Sequence, residues 1–243
     1  SLYIVCKRKD CSRINTIYIA KLKGKAMLLK ARHHHPTQKN YKPYIEPKEG
    51  AVATTSFLNE LILKIGAKVM IIHNIDTTDS LTNGQLGVVI DMIKTTKGKV
   101  DKLIIKLNTR SAGRLNRSRH PGLASRYPDC VIIECVSNQY TLRKKSGDVS
   151  STATVMQFPI KLAYAITSHK IQGQTIPWPI KVVLDINSVF EDAQAHVMLS
   201  RVQQLEQIFI LDESKIRTSK IGLEETKRLA KISINANPSP LQK

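Results

Sequence analysis

Two stretches in the later part of the chain hold the residues best suited to handling phosphate. In FPIKLAYAITSHKIQGQT (Phe158–Thr175), a hydroxyl, an imidazole and an ammonium lie close together at Thr167, His169 and Lys170. All three are donors of the kind that proteins place on nucleic-acid phosphates. Gln172 precedes Gly173, whose missing Cβ permits a close backbone approach to a ligand. In AQAHVMLSRV (Ala193–Val202), Arg201 offers a planar guanidinium whose fork fits phosphate oxygens two at a time. Each residue alone has a plainer reading. Arg201 near a helix end can simply complement the macrodipole, and His169 can be a satisfied, half-buried histidine.

The elements that must position these residues follow from apolar patterning. LYIVC (Leu2–Cys6) reads as a buried strand and RINTIYIAKLKG as a helix ending at Gly24. The apolar spacing of Leu162, Ala163, Ala165 and Ile166 predicts a helix over Leu162–Gln172. Lys181–Ile186 reads as a strand, Glu191–Arg201 as a helix, Gln207–Leu211 as a strand and Leu223–Ile232 as a last helix. Strand, helix and strand joined by short loops imply a parallel crossover. Between these α/β parts lie short strand patterns: Val69–His73, Gly87–Ile93, Leu103–Leu107 and VIIEC. Asn83-Gly84 is the strongest short turn signal in the chain. Asn108–Cys130 reads as a long arginine-rich loop, and long loops of this kind are usually functional or disordered.

Charge narrows the partner. The 243 residues carry a formal net charge of +19, an excess that favours a polyanion, because neutralising phosphates releases condensed counterions. Residues 1–50 hold twelve Lys/Arg against Asp10, Glu46 and Glu49. Lys102–Pro128 contains no acid, but holds Arg110, Arg114, Arg117, Arg119 and Arg126. Arg114, Arg117 and Arg119 are therefore read as contacts to a nucleic-acid backbone. Tyr127, Tyr140, Phe158 and Trp178 are the rings on which bases could stack, although Trp178, between two prolines, reads as structural. No apolar run approaches the roughly 20 residues a membrane helix needs, and no secretory leader is recognisable.

Cys6, Cys11, Cys130 and Cys135 form two C-x₄-C pairs, which invites a zinc reading. It is set aside because Cys135 ends a strand-like VIIEC, where side chains alternate between faces. No metal ligands are assigned, and an intracellular setting is the simpler expectation. His33-His34-His35 reads as part of a basic, solvated loop, and Pro36, Pro43 and Pro47 argue against regular structure through Lys48.

Taken in order, with KVVLDI between them, the two phosphate-handling stretches resemble motifs V and VI of superfamily-one helicases. The wording is that of the Pif/RecD-like branch, including versions carried by large DNA transposons. Leu2–Gly24 resembles motif IV, with Asn15 matching its asparagine, and LILKIGAKVMIIHNI (Leu61–Ile75) resembles a stretch typical of Pif-like proteins. His196 stands where the family commonly has Tyr, and Ile171 where Ser or Ala is frequent. The resemblance implies an α/β fold: a second RecA-like helicase lobe, a parallel sheet flanked by helices, with a small SH3-like β-barrel inserted. Residues 1–60 would open the lobe, 61–157 form the insert, 158–234 complete the lobe, and 235–243 form a frayed tail.

The same resemblance implies roles. Arg201 would be the arginine finger on the γ-phosphate, Gln172 and Gly173 would approach the nucleotide, and Thr167, His169 and Lys170 would reach the DNA backbone. ATP and Mg2+ would be held mainly by a first RecA-like lobe supplied in cis. No G-x-x-x-x-G-K-[ST] phosphate loop occurs in these residues, so the chain reads as the back half of a motor. IFILDE imitates a Walker B strand, but Asp212 and Glu213 are not assigned to metal. The expected partner is single-stranded DNA or a DNA junction, no membrane is involved, and the protein is expected to be monomeric and nuclear or mitochondrial. Movement would run five-prime to three-prime. The alternatives are an ATP-independent nucleic-acid-binding module and an inactive transposon-derived remnant.

Overall fold

A computed structural model of the chain describes residues 1–36, 55–143, 149–171, 175–185 and 194–210. In chain order the early strands and helix are β1 (Leu2–Val5), α1 (Arg8–Lys21), β2 (Met27–Lys30), β3 (Arg32–His34) and β4 (Glu60–Leu63). Next come β5 (Lys68–Ile71), β6 (Leu86–Lys94), β7 (Val100–Leu107), α2 (Arg114–Arg119), α3 (Pro121–Arg126) and β8 (Cys130–Glu134). The remainder are β9 (Val136–Arg143), β10 (Val149–Gln157), β11 (Ile160–Leu162), β12 (Ala165–Thr167), β13 (Val182–Leu184), α4 (Gln194–Leu199) and β14 (Ile208–Ile210).

These elements form two compact units, Ser1–Tyr18 with Ala163–Lys243, and Ile19–Leu162. The first is α/β. Its sheet runs β12-β1-β13-β14, every pairing parallel. The short strands β1 and β13 read as near-continuous apolar runs, LYIV and VVL, as strands covered on both faces do. α1 begins with Asp10 in its first turn and ends with Lys21 in its last, both favourable to the helix macrodipole. The expected helix before the last strand is present as α4, shorter than Glu191–Arg201; residues 191–193 lie outside the described residues.

The second unit is almost all antiparallel β. A five-stranded sheet runs β11-β5-β6-β7-β8, with Leu103, Ile104, Ile105, Ile133 and Ile160 among its buried side chains. β2 pairs with β4, and β3-β10-β9 make a further sheet. Asn83-Gly84 does turn between β5 and β6, with Gly84 at φ +99°, a conformation that glycine adopts at no steric cost. The Lys64 ammonium donates to Ala20 O at 3.3 Å and Leu22 O at 2.7 Å, satisfying carbonyls that the end of α1 leaves open.

Four sequence expectations are corrected. The helix expected over Leu162–Gln172 is instead the end of β11, then β12, then a 3₁₀ turn at Ser168–Ile171. Apolar spacing cannot tell a short buried strand from a helix; here, pairing with β1 decides. The arginine-rich loop folds as α2 and α3, with Pro121 opening α3. Its cap comes from a residue far away in sequence, as described below. The basic segment carries β2 and β3, because strands ahead of Pro36 keep every backbone donor they need; Pro43 and Pro47 lie outside the described residues. Finally, the three histidines are not a solvated loop. His33 bonds to Asn59 at 2.9 Å and to Tyr140 at 3.1 Å, and His35 is buried.

Candidate nucleotide and nucleic-acid site

The strand that leads to Thr167 is held by one buried side chain. Asn15, on α1, donates from Nδ2 to Ala165 O at 3.0 Å, while its Oδ1 accepts from the Tyr164 and Ala165 N–H groups at 2.9 and 3.0 Å. Cys11, one turn earlier, also donates to Ala165 O, at 3.1 Å. Tyr18 lies 5.6 Å from the Tyr3 ring and stacks at 5.3 Å on Tyr164. β12 therefore has a fixed height in the sheet. Thr167 is half-buried at its carboxyl end, and His169 and Lys170 are exposed just beyond. In open parallel sheets this carboxyl edge is where ligands bind.

The 3₁₀ turn at Ser168–Ile171 packs against α4. Ser168 Oγ and, on α4, His196 Nδ1 are buried with no hydrogen-bond partner among the described residues. Arg201 follows α4. Its Nε donates to Val197 O at 3.1 Å and its Nη2 to Ser200 Oγ at 2.8 Å, so the guanidinium folds back over the helix end. The macrodipole role is thus realised here, and the side chain is half-buried. Arg201 O accepts from Ile176 N at 2.7 Å, tying the residue just after the first stretch to the second through the backbone. Because the strands are parallel, Thr167 lies at their carboxyl ends and Arg201 on the side of their amino ends. Gln172 and Gly173 lie outside the described residues, as do Asp212 and Glu213.

Two positioning residues had no sequence signal. Gln207 is fully buried; its Oε1 accepts from the Gln203 and Gln204 N–H groups at 3.0 and 2.9 Å, and its Nε2 donates to Ile180 O at 2.9 Å and Pro177 O at 3.2 Å. It ties the segment after Thr175 to the segment after Arg201. A glutamine in the run QQLEQ looks like surface until the contacts are known.

In the second unit the corresponding residue is Asp79. Its carboxylate accepts from the Leu115 and Asn116 N–H groups at 2.8 and 2.7 Å, capping α2, and its carbonyl accepts from Gly113 N at 2.9 Å. Buried Asn116 donates to Ile132 O at 2.9 Å and accepts from Ile132 N at 2.8 Å, fastening α2 to β8. Of the three arginines nominated for DNA, Arg114 is exposed. Arg117 is half-buried and donates to Ala112 O at 2.9 Å. Arg119 pairs with Asp76 at 3.1 Å, and with this arginine and the Thr78 hydroxyl as donors the Asp76 carboxyl sits below its usual range, the hydroxyl being the larger cause. The fold also sorts the rings. Phe158 and Tyr140 are buried and Tyr127 is tied through its hydroxyl to Asp91, whereas Trp178 is 51% exposed. The cysteines are all unbridged; Cys130 is buried and Cys135 half-buried, and burial raises both thiol pKa values.

Comparison with known proteins bears on family and fold. Residues 55–92 match the family described as DNA helicase Pif1, 2B domain. An ATP-dependent DNA helicase Pif1 of Campylobacter jejuni is 29% identical over 86% of this chain and 41% of its own length. The zebrafish (Danio rerio) PIF1 helicase is 32% identical over 63% of this chain and 19% of its own. The chain thus spans about two-fifths or less of these curated relatives. Among solved structures, the Pif1 helicase of Candida albicans superposes with a TM-score of 0.58 at 26% identity, covering 95% of this chain and 49% of that one. A Bacteroides Pif1 bound to ssDNA gives 0.56 at 20% identity over 96% of this chain and 46% of that one, a likeness of fold. In motifs, in relatives and in fold, this chain is similar to the C-terminal part of Pif1-like helicases of superfamily one.

Proposed function

We propose that the chain supplies the second motor lobe of an ATP-dependent DNA helicase. In this reading the parallel sheet of the first unit is the RecA-like lobe, and the five-stranded sheet of the second is an SH3-like insert. Thr167, His169 and Lys170 contact the DNA backbone at the carboxyl edge of the sheet. Arg201 approaches the γ-phosphate, with Gln172 and Gly173 beside the nucleotide. The observation that carries the reading is the coupling of the two stretches: the turn bearing His169 and Lys170 packs on α4, and Arg201 O holds Ile176 N at 2.7 Å.

The donors suit phosphate, and among the described residues the three helix-end bonds of Arg201 use Nε and Nη2 but not Nη1. A magnesium nucleotide would bring the scissile phosphoanhydride; Arg201 would neutralise charge spreading over the γ-phosphate oxygens as it breaks. The 243 residues contain no phosphate loop, so hydrolysis requires one from a first lobe. DNA junctions or single strands are the proposed partner, a monomer the proposed state, and nucleus or mitochondrion the proposed location. The test is DNA-stimulated ATP hydrolysis after joining a phosphate-loop lobe ahead of Ser1. Loss of DNA stimulation on replacing His169 and Lys170 supports the reading; stimulation untouched by both replacements contradicts it.

A second reading rests on charge. A chain at +19 without a phosphate loop can act as an ATP-independent nucleic-acid-binding module. The same joined protein separates the two, since a pure binding module gains no turnover.

A further inference from the structure

We infer that α2 and α3, with the turn leading into them, form a contact for the backbone of duplex DNA, separate from the single-strand contact at His169 and Lys170. The inference rests on the DNA reading above and on three observations. The first is fixation. Asp79 caps α2, Asn116 clamps it to Ile132, and Gly113 sits at φ +80° against Val131, so the module is held as a rigid platform. Leu123 and Tyr127 pack α3 onto the Ile104–Cys130–Ile132 cluster.

The second is which cations remain available. Arg119 is paired with Asp76, Lys102 with Glu134, and Arg117 is spent on Ala112 O. Arg110, Arg114 and Arg126 are exposed; Arg110 and Arg114 have no ion pair among the described residues, and Arg126 faces Tyr127 and the Asp91 carboxylate. The third is the lack of an available ring. Proteins that hold single strands without sequence preference stack bases on aromatic side chains. Of the two rings on this platform, His120 is half-buried between α2 and α3, and Tyr127 is half-buried with its hydroxyl on Asp91 and Arg126 5.1 Å over its ring. The exposed tryptophan and phenylalanine of the described residues, Trp178 and Phe209, belong to the first unit. Fixed cations without a stacking surface suit a stiff, regular phosphate array, such as a duplex with one charge about every 1.7 Å of axis.

The test uses the 243-residue chain with a blunt duplex, a single strand of the same length and polyglutamate as probes. Affinity is measured against salt for the wild type, for Arg110→Ala/Arg114→Ala/Arg126→Ala, and for His169→Ala/Lys170→Ala. The arginine variant should bind duplex about tenfold more weakly, with a salt slope shallower by about 2 to 3, since each phosphate lost removes about 0.9, while its single-strand affinity changes by less than about twofold. The His169/Lys170 variant should show the opposite preference. These arginines are exposed, so an unchanged melting curve accompanies the expected result. An unchanged duplex slope, equal loss on both DNA forms, or a loss on polyglutamate as large as on duplex overturns the inference. A wild-type chain that binds the single strand but not the duplex also overturns it and leaves the DNA reading standing. A wild type that binds neither form overturns that reading as well.

Discussion

Asn15 and Ala165 exchange a two-way hydrogen bond: the side-chain amide donates to the Ala165 carbonyl and accepts from its N–H, both at 3.0 Å. One side chain thus substitutes for a strand neighbour and fixes the strand from which Thr167, Ser168 and His169 follow. Asn15→Ala leaves the Tyr164 and Ala165 N–H groups without partners, while the Ala165 carbonyl keeps only the Cys11 thiol. A loss of about 1–3 kcal/mol is expected for each such group that water cannot reach. The expected outcome is a lower urea midpoint together with weaker single-strand binding. An unchanged midpoint would show that Asn15 does not hold β12.

The cap of α2 makes a second prediction. Asp79→Ala removes the acceptor for the Leu115 and Asn116 N–H groups and should cost about 0.5–2 kcal/mol, the range for lost caps. Gly113→Ala should be worse, because a Cβ there collides with the Val131 side chain at a backbone φ of +80°. Thermal unfolding of both variants checks the order. An Asp79→Ala protein as stable as the parent would remove the cap from the account.

The first strand, the helix carrying Asn15 and the turn at Asn83-Gly84 were legible because each is encoded locally, by an apolar run, a periodic pattern or a φ-permissive residue. The AYAIT segment was not. Its spacing suits a helix, and only the parallel partner Tyr3–Val5, some 160 positions away, makes it a strand. The helix α2 hid for the same reason, since its cap is Asp79 and not a residue of its own first turn. Arg114, Arg117 and Arg119 look equivalent in the sequence. The fold separates them, because Asp76 and the Ala112 carbonyl reach two of the three. Gln207 shows the limit most plainly: its five contacts depend on loops that meet only in the folded chain.

His33 predicts a pH dependence. Burial lowers its pKa from the ordinary 6.5, and its bond to Asn59 opposes that only in part. The unfolded chain therefore binds the proton more readily than the folded one. The stability His33 contributes is complete above about pH 6.5 and is lost as pH falls through that value toward the lowered one. His120, whose pKa is lowered by burial and then by Lys102 and Arg119, acts in the same direction. Urea midpoints should fall on acidification, and less steeply in His33→Gln. Parallel pH curves for parent and variant would contradict this.

The chain without a joined lobe should hydrolyse no ATP, with or without DNA, because these residues contain no phosphate loop. Magnesium-dependent, DNA-stimulated phosphate release from the purified 243 residues would contradict that expectation.

The most direct measurement is turnover of Arg201→Lys and Arg201→Ala in the protein joined to a phosphate-loop lobe. A lysine is a point charge and cannot reproduce the planar fork. Both variants should therefore lose about 10³-fold or more in DNA-stimulated ATP hydrolysis, on the scale of other arginine fingers, while nucleotide-free binding of single-stranded DNA stays near the parent value. If Arg201→Ala keeps near-normal turnover, or if its main defect is folding or DNA affinity, Arg201 does no more than close the end of α4, and the motor-lobe account fails at its centre.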